Sequence, residues 1–149
     1  MASARRSIDI EVPPERFFEL LQDYQRYPEF LPEVRSVRVG ARSGASVQVT
    51  YKLDVSLKII EYTLDHVETA PANIVWHLVR GEFMKSNDGS WTLELLPSGG
   101  TRATYAIELN LSSLVPASLE RALAEQGLPN MLSNFKARAE KIYKAATAG

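Results

Sequence analysis

Over residues 47–57, apolar side chains (Val47, Val49, Tyr51, Leu53, Val55, Leu57) alternate without a break with polar ones (Gln48, Thr50, Lys52, Asp54, Ser56). A period of two turns one side of a strand to the core and the other to water. The period returns in Trp91, Leu93 and Leu95, and again in Ala103, Tyr105, Ile107, Leu109 and Leu111. Near the end of the chain it changes. Leu128, Met131, Leu132, Phe135, Ala139, Ile142 and Tyr143 follow the three-and-four spacing of one helix stripe. One-faced strands followed by an amphipathic helix predict a curved sheet wrapped on that helix, with a space between the layers in which to look for function.

The remaining elements follow from local signals. Residues 7–12 read as a short strand, which Pro13-Pro14 halts; the second proline suits the start of a helix over 15–21. Asp23 is placed to cap a second short helix over 24–31, whose regularity Pro28 limits. A strand is expected over 34–41, then a turn at 42–45 into the long alternating strand. The alternation slips phase near Ile59-Ile60, predicting a turn or bulge before Tyr62 and Leu64. Residues 69–73 form a turn, and Ile74, Trp76 and Leu78 belong to the next strand. Residues 81–89 read as the longest glycine-bounded connection in the sheet region. Pro97-Ser98-Gly99-Gly100 marks a hairpin turn. Beyond Leu111 a helix is expected over 116–126, a break at 127–129, and a final helix to about residue 146. The order is an α+β fold: about six or seven antiparallel strands, two short helices after the first, and a long helix at the end.

The chain of 149 residues fits one domain, 1–149. Seventeen basic residues against 18 acidic ones leave a net charge of −1, which predicts no electrostatic hold on DNA. Lys136, Arg138, Lys141 and Lys144 on the last helix read as a solvated face. No stretch approaches the roughly 20 apolar residues of a membrane span. The first residues lack the apolar core of a signal peptide, so a cytoplasmic location is expected. The absence of cysteine removes disulfides, thiol catalysis and thiolate metal sites. No metal site and no cofactor are expected: zinc spacing, phosphate cradles and nucleophile elbows are missing. Asn87-Asp88-Gly89 lacks the further ligands of a calcium loop and reads as a turn.

The inward parity nominates Tyr51, Leu53, Tyr62, Trp76, Phe83, Trp91, Tyr105, Ile107, Met131 and Phe135 as cavity-lining, ligand-binding residues, with Tyr27 and Phe30 as gates. Plain core packing would use the same positions, because parity does not distinguish a filled interior from a hollow one. Tyr and Trp carry polar tips that need partners when buried, which favours a polar-headed guest or ordered water. His66 shares the parity of Tyr62 and Leu64 and points inward, whereas His77 faces the other way. An interior His66 fits a structural histidine or a general base. Arg80, Glu82 and Asp88 read as a solvated loop rim.

Four words in order carry a resemblance. They are Tyr27-Pro28-Glu29-Phe30-Leu31-Pro32; Lys58-Ile59-Ile60-Glu61-Tyr62-Thr63; Gly81-Glu82-Phe83 with Gly89-Ser90-Trp91-Thr92-Leu93; and the turn Gly99-Gly100-Thr101. Together they resemble the polyketide cyclase/dehydrase and lipid-transport family of the START-related, helix-grip superfamily, and within it the coenzyme Q-binding branch. The resemblance spans nearly the whole chain. It implies a helix-grip fold and a carrier for a hydrophobic small molecule, lipid-, quinone- or polyketide-like, with transient contact at a membrane surface. The alternative it implies is an aromatase/cyclase acting on a poly-β-ketone. No catalytic residue is assigned, and His66, Tyr62, Arg80 and Tyr105 are the ones to test. A third reading, a ribosome-associated interaction module, comes from bacterial relatives in the wider branch, and the balanced charge argues against it. Ligand identity and oligomeric state are left open.

Overall fold

The computed structural model describes residues 2–55, 58–122 and 127–148. Seven strands form one antiparallel sheet: β1 (Ala2–Ile10), β2 (Val34–Ser43), β3 (Ser46–Val55), β4 (Lys58–Thr69), β5 (Asn73–Gly81), β6 (Met84–Leu95) and β7 (Thr101–Leu111). Their spatial order is β1-β7-β6-β5-β4-β3-β2, so β2 to β7 are a meander and β1 closes against the last strand. Between β1 and β2 the chain crosses from one edge to the other through α1 (Pro14–Gln22) and a 3-10 helix (Tyr24–Glu29). After β7 come a short α2 (Ala117–Arg121) and the long α3 (Gly127–Ala148).

Pro14 opens α1, and Phe17, Phe18, Leu20 and Leu21 bury one side of it. Pro28 sits within the second element, which is 3-10 rather than α. Proline lacks the N–H that an α-helical ladder needs and crowds the turn before it. On α3, Leu128, Leu132, Phe135 and Ala139 are buried, at steps of four and three. Phe135 is the hub of the core. Its ring meets those of Phe17, Tyr27, Phe30 and Trp91 edge-on, at 6.3, 5.3, 5.1 and 5.3 Å between centroids. Such edge contacts add about 0.5–1.5 kcal/mol each beyond the burial of area.

Several sequence expectations shift: the first strand, expected over 7–12, spans Ala2–Ile10, and the break expected at 127–129 is already helix, α3 beginning at Gly127. β3 ends at Val55 and β4 begins at Lys58, so the strand break lies ahead of the phase slip at 59–60. The predicted strand residues 56–57 and helix residues 123–126 lie outside the described residues. The expected connection over 81–89 is instead a two-residue turn, with Phe83 at φ 57°, followed by strand from Met84. Polar residues 85–90 hold strand geometry because β7 pairs with them, Asp88 opposite Glu108 and Ser90 opposite Ala106. Tertiary pairing here overrides the local turn signal. No described helix is long and apolar enough to cross a membrane.

Candidate binding cavity

Between the concave face of the sheet and α3 lies a cavity of about 400 Å³. Its floor is built by cross-strand pairs. Tyr51 stands opposite Tyr62, and Trp91 opposite Tyr105. The Tyr51 and Tyr62 rings stack at 5.4 Å, whereas Tyr105 meets Trp91 edge-on at 5.0 Å and leans on Trp76 at 5.3 Å. Met131 and Phe135 of α3 form the roof. The more exposed lining residues, Gly127, Asn130, Glu33 and Asp54, mark where the cavity meets solvent.

Of the side chains nominated from sequence, Tyr27, Tyr51, Leu53, Tyr62, Trp76, Trp91, Tyr105, Ile107, Met131 and Phe135 line this cavity. Phe30 and Phe83 do not. Phe30 packs on Tyr27 and Phe135 under the Arg138 guanidinium, whose Cζ lies 5.3 Å from the ring centre. Phe83 occupies the turn between β5 and β6. Tyr27, expected as a gate, is buried and donates its hydroxyl to the Leu21 carbonyl. Arg80 is exposed and outside the lining, so it is not assembled with His66.

His66 is 4% exposed, and its Nε2 lies 3.1 Å from the Tyr51 hydroxyl. Its Nδ1 is buried without a hydrogen bond of good geometry. Burial pushes the imidazole pKa down from 6.5 to about 4, against the opposing pull of Glu68 and the carbonyls of Leu64 and Val47. The ring is therefore neutral at pH 7. His77, by contrast, lies on the outer face and pairs with Asp88 at 2.8 Å.

A polar cluster closes the end of the cavity beside His66. The Glu68 carboxylate accepts hydrogen bonds from Tyr24 Oη at 2.7 Å, Gln22 Nε2 at 3.1 Å and the Arg42 guanidinium at 2.7 Å. Burial alone would raise the Glu68 pKa, but these three donors outweigh it and the net shift is downward. Sequence reasoning missed Tyr24, Glu68 and Asn87. The signal for Glu68 was present: it shares the inward parity of Tyr62, Leu64 and His66. Asn87 accepts the Trp76 indole N–H at 3.0 Å, a role that its reading as a turn residue hid. No group of three or more metal-ligating side chains clusters among the described residues.

The arrangement offers a concave, largely apolar volume with a few placed polar groups, the ordinary make-up of a small-molecule site. The chain is 27% identical over 148 residues to the Ribosome association toxin RatA of Escherichia coli K12, covering 97% of this chain and 91% of that protein. Among solved structures it superposes on a START superfamily protein from Mycobacterium smegmatis with a TM-score of 0.83, at 16% identity over 94% of this chain and 98% of that one. The Zhui aromatase/cyclase from Streptomyces sp. R1128 also matches with a TM-score of 0.83, at 16% identity and 97% coverage of both chains. At such identities the superpositions show a shared fold. The family described as polyketide cyclase / dehydrase and lipid transport matches residues 10–136, and the chain belongs to that family.

Proposed function

We propose that the protein binds and carries a hydrophobic small molecule in the cavity between sheet and α3. The observation that carries this reading is the hollow of about 400 Å³ lined by Leu53, Tyr62, Trp76, Tyr105, Ile107 and Met131. Core side chains pack at crystal-like density, so a void of this size in so small a domain is a departure that a guest explains. Apolar burial contributes roughly 25 cal/mol per Å² before the costs of association are subtracted. Loading of such a guest in the cytoplasm, from a membrane surface, belongs to this proposal.

Nile red, an uncharged apolar dye, tests it. Delipidated protein is expected to bind the dye with blue-shifted emission, and Ile107→Trp, which fills the cavity, is expected to abolish the shift while the fold is kept. No blue shift with the folded parent, or a shift just as large with the folded filling variant, overturns the carrier.

The family and the likeness to an aromatase/cyclase support a second reading, cyclisation of a poly-β-ketone held in the same cavity. Such chemistry is driven largely by the shape imposed on the substrate, and His66, which lines the cavity, is the side chain to test as proton acceptor. Turnover of a polyketide mimic that His66→Gln removes would promote it. The full-length likeness to RatA supports a ribosome-associated role, for which co-sedimentation with ribosomal subunits is the test.

A further inference from the structure

The polar atoms around the cavity divide into two sets. Tyr24, Tyr27, Tyr51 and Trp76 are satisfied within the protein, by Glu68, the Leu21 carbonyl, His66 and Asn87. The hydroxyls of Tyr62 and Tyr105 and the indole N–H of Trp91 have no hydrogen-bond partner among the described residues. None of the three is sealed off by protein, since among the described residues the buried polar atoms without partners are His66 Nδ1 and Arg138 Nε. All three side chains line the cavity, from which an acceptor would reach them. Burial pushes both phenol pKa values upward, so they remain protonated donors at neutral pH.

The charges around the cavity carry a second, independent constraint. Among the described lining residues, Glu33 and Asp54 are the only charged side chains at neutral pH. Among the described residues, no lysine or arginine lines the cavity. A carboxylate or phosphate brought inside would lose its hydration, find no cation among the described lining residues, and pass Glu33 and an Asp54 already paired with Arg35 at 3.3 Å. An uncharged guest meets no such penalty. The volume, low in the usual range of about 300–1,000 Å³, also suits a compact ring system better than a two-chain lipid.

We infer that the cavity is specific for an uncharged, ring-containing guest whose carbonyl or ether oxygens accept hydrogen bonds from Tyr62, Tyr105 and Trp91, and that it excludes fatty-acid and phospholipid anions. This inference rests on the carrier reading and narrows it. The stacked Tyr51–Tyr62 pair and the Trp76–Tyr105 pair supply flat walls for the ring. The three donors fix its oxygen-bearing edge. A site whose buried donors await acceptors discriminates strongly against an analogue that lacks them, because the donors are then left unpaired.

Three probes of nearly one shape separate the terms in calorimetric titrations at pH 7: naphthalene, 2-acetylnaphthalene and 2-naphthoate. The ketone is expected to bind at least tenfold more tightly than either of the others. In the double variant Tyr62→Phe/Tyr105→Phe that advantage over naphthalene is expected to fall to twofold or less. Naphthalene itself is expected to bind the variant as it binds the parent, which shows that the cavity has survived. Naphthoate binding as tightly as the ketone overturns the charge selection and leaves the carrier standing. A ketone preference that persists in the variant overturns the assignment of the donors. Failure of all three probes to bind removes the carrier reading and this inference with it.

Discussion

The Trp76 indole lies across Gly89, its Cζ2 only 2.2 Å from where a Cβ at position 89 would stand. The two residues are directly paired between β5 and β6, and this is the last paired position before the two strands part. Glycine is required here for space, not for backbone freedom. Gly89→Ala is expected to push the indole off its Asn87 hydrogen bond and into the cavity. Overpacking of this kind costs about 1–3 kcal/mol. Urea denaturation followed by tryptophan emission measures it, and a variant as stable as the parent contradicts the steric account.

Glu68 is the anchor for three donors. Glu68→Ala leaves the Tyr24 hydroxyl and the Gln22 amide without their acceptor, and a cost of about 1–3 kcal/mol is expected. Arg42, whose side chain is 46% exposed, turns to water and adds little. Thermal unfolding of Glu68→Ala beside Arg42→Ala checks the order: the carboxylate variant is expected to be clearly the less stable.

Acid acts on the same end of the cavity. The His66 pKa is depressed in the fold, so the unfolded chain binds the proton first. Stability from this group is complete above about pH 6.5 and is lost progressively as pH falls towards about 4. A shift of that size is worth on the order of 3 kcal/mol. Glu68, also depressed, adds a loss that begins near its ordinary value of 4.5 and continues below it. Denaturation measured from pH 7 to pH 4 is expected to show the decline in the parent and a much flatter profile in His66→Gln.

Arg138 fastens α3 to the crossing segment. Its guanidinium donates to the Glu29 carboxylate and covers the Phe30 ring. Arg138→Ala is expected to cost about 1 kcal/mol, the sum of a partly exposed ion pair and a cation–π contact. Amide hydrogen exchange over residues 24–31 is expected to quicken more than exchange in β6 and β7. Uniform exchange across the chain would contradict the local role.

Much of this architecture was legible in period and punctuation. Alternation located β3, β6 and β7; the switch to a three-and-four spacing located α3; and Pro97-Ser98-Gly99-Gly100 located a hairpin. Parity also placed the aromatic floor and turned His66 inward. It failed where a partner strand decides the outcome. Residues 84–90 look like a loop in isolation and become strand because β7 supplies their hydrogen bonds. Phe83 was assigned to the lining as an inward apolar position, but the backbone there makes a turn. The Tyr24–Glu68 contact joins residues 44 apart in sequence, and no local pattern encodes such a pairing.

The sheet bends without closing into a barrel, so β1 and β2 each leave one side unpaired. Those rims carry exposed arginines, Arg5 and Arg6 on one and Arg35, Arg38 and Arg42 on the other, and β2 adds two breaks in register. Another polypeptide attempting to extend the ladder there would meet guanidinium groups and an irregular template. A fold that keeps its greasy interior hollow is thereby defended against fibrillar stacking along its borders.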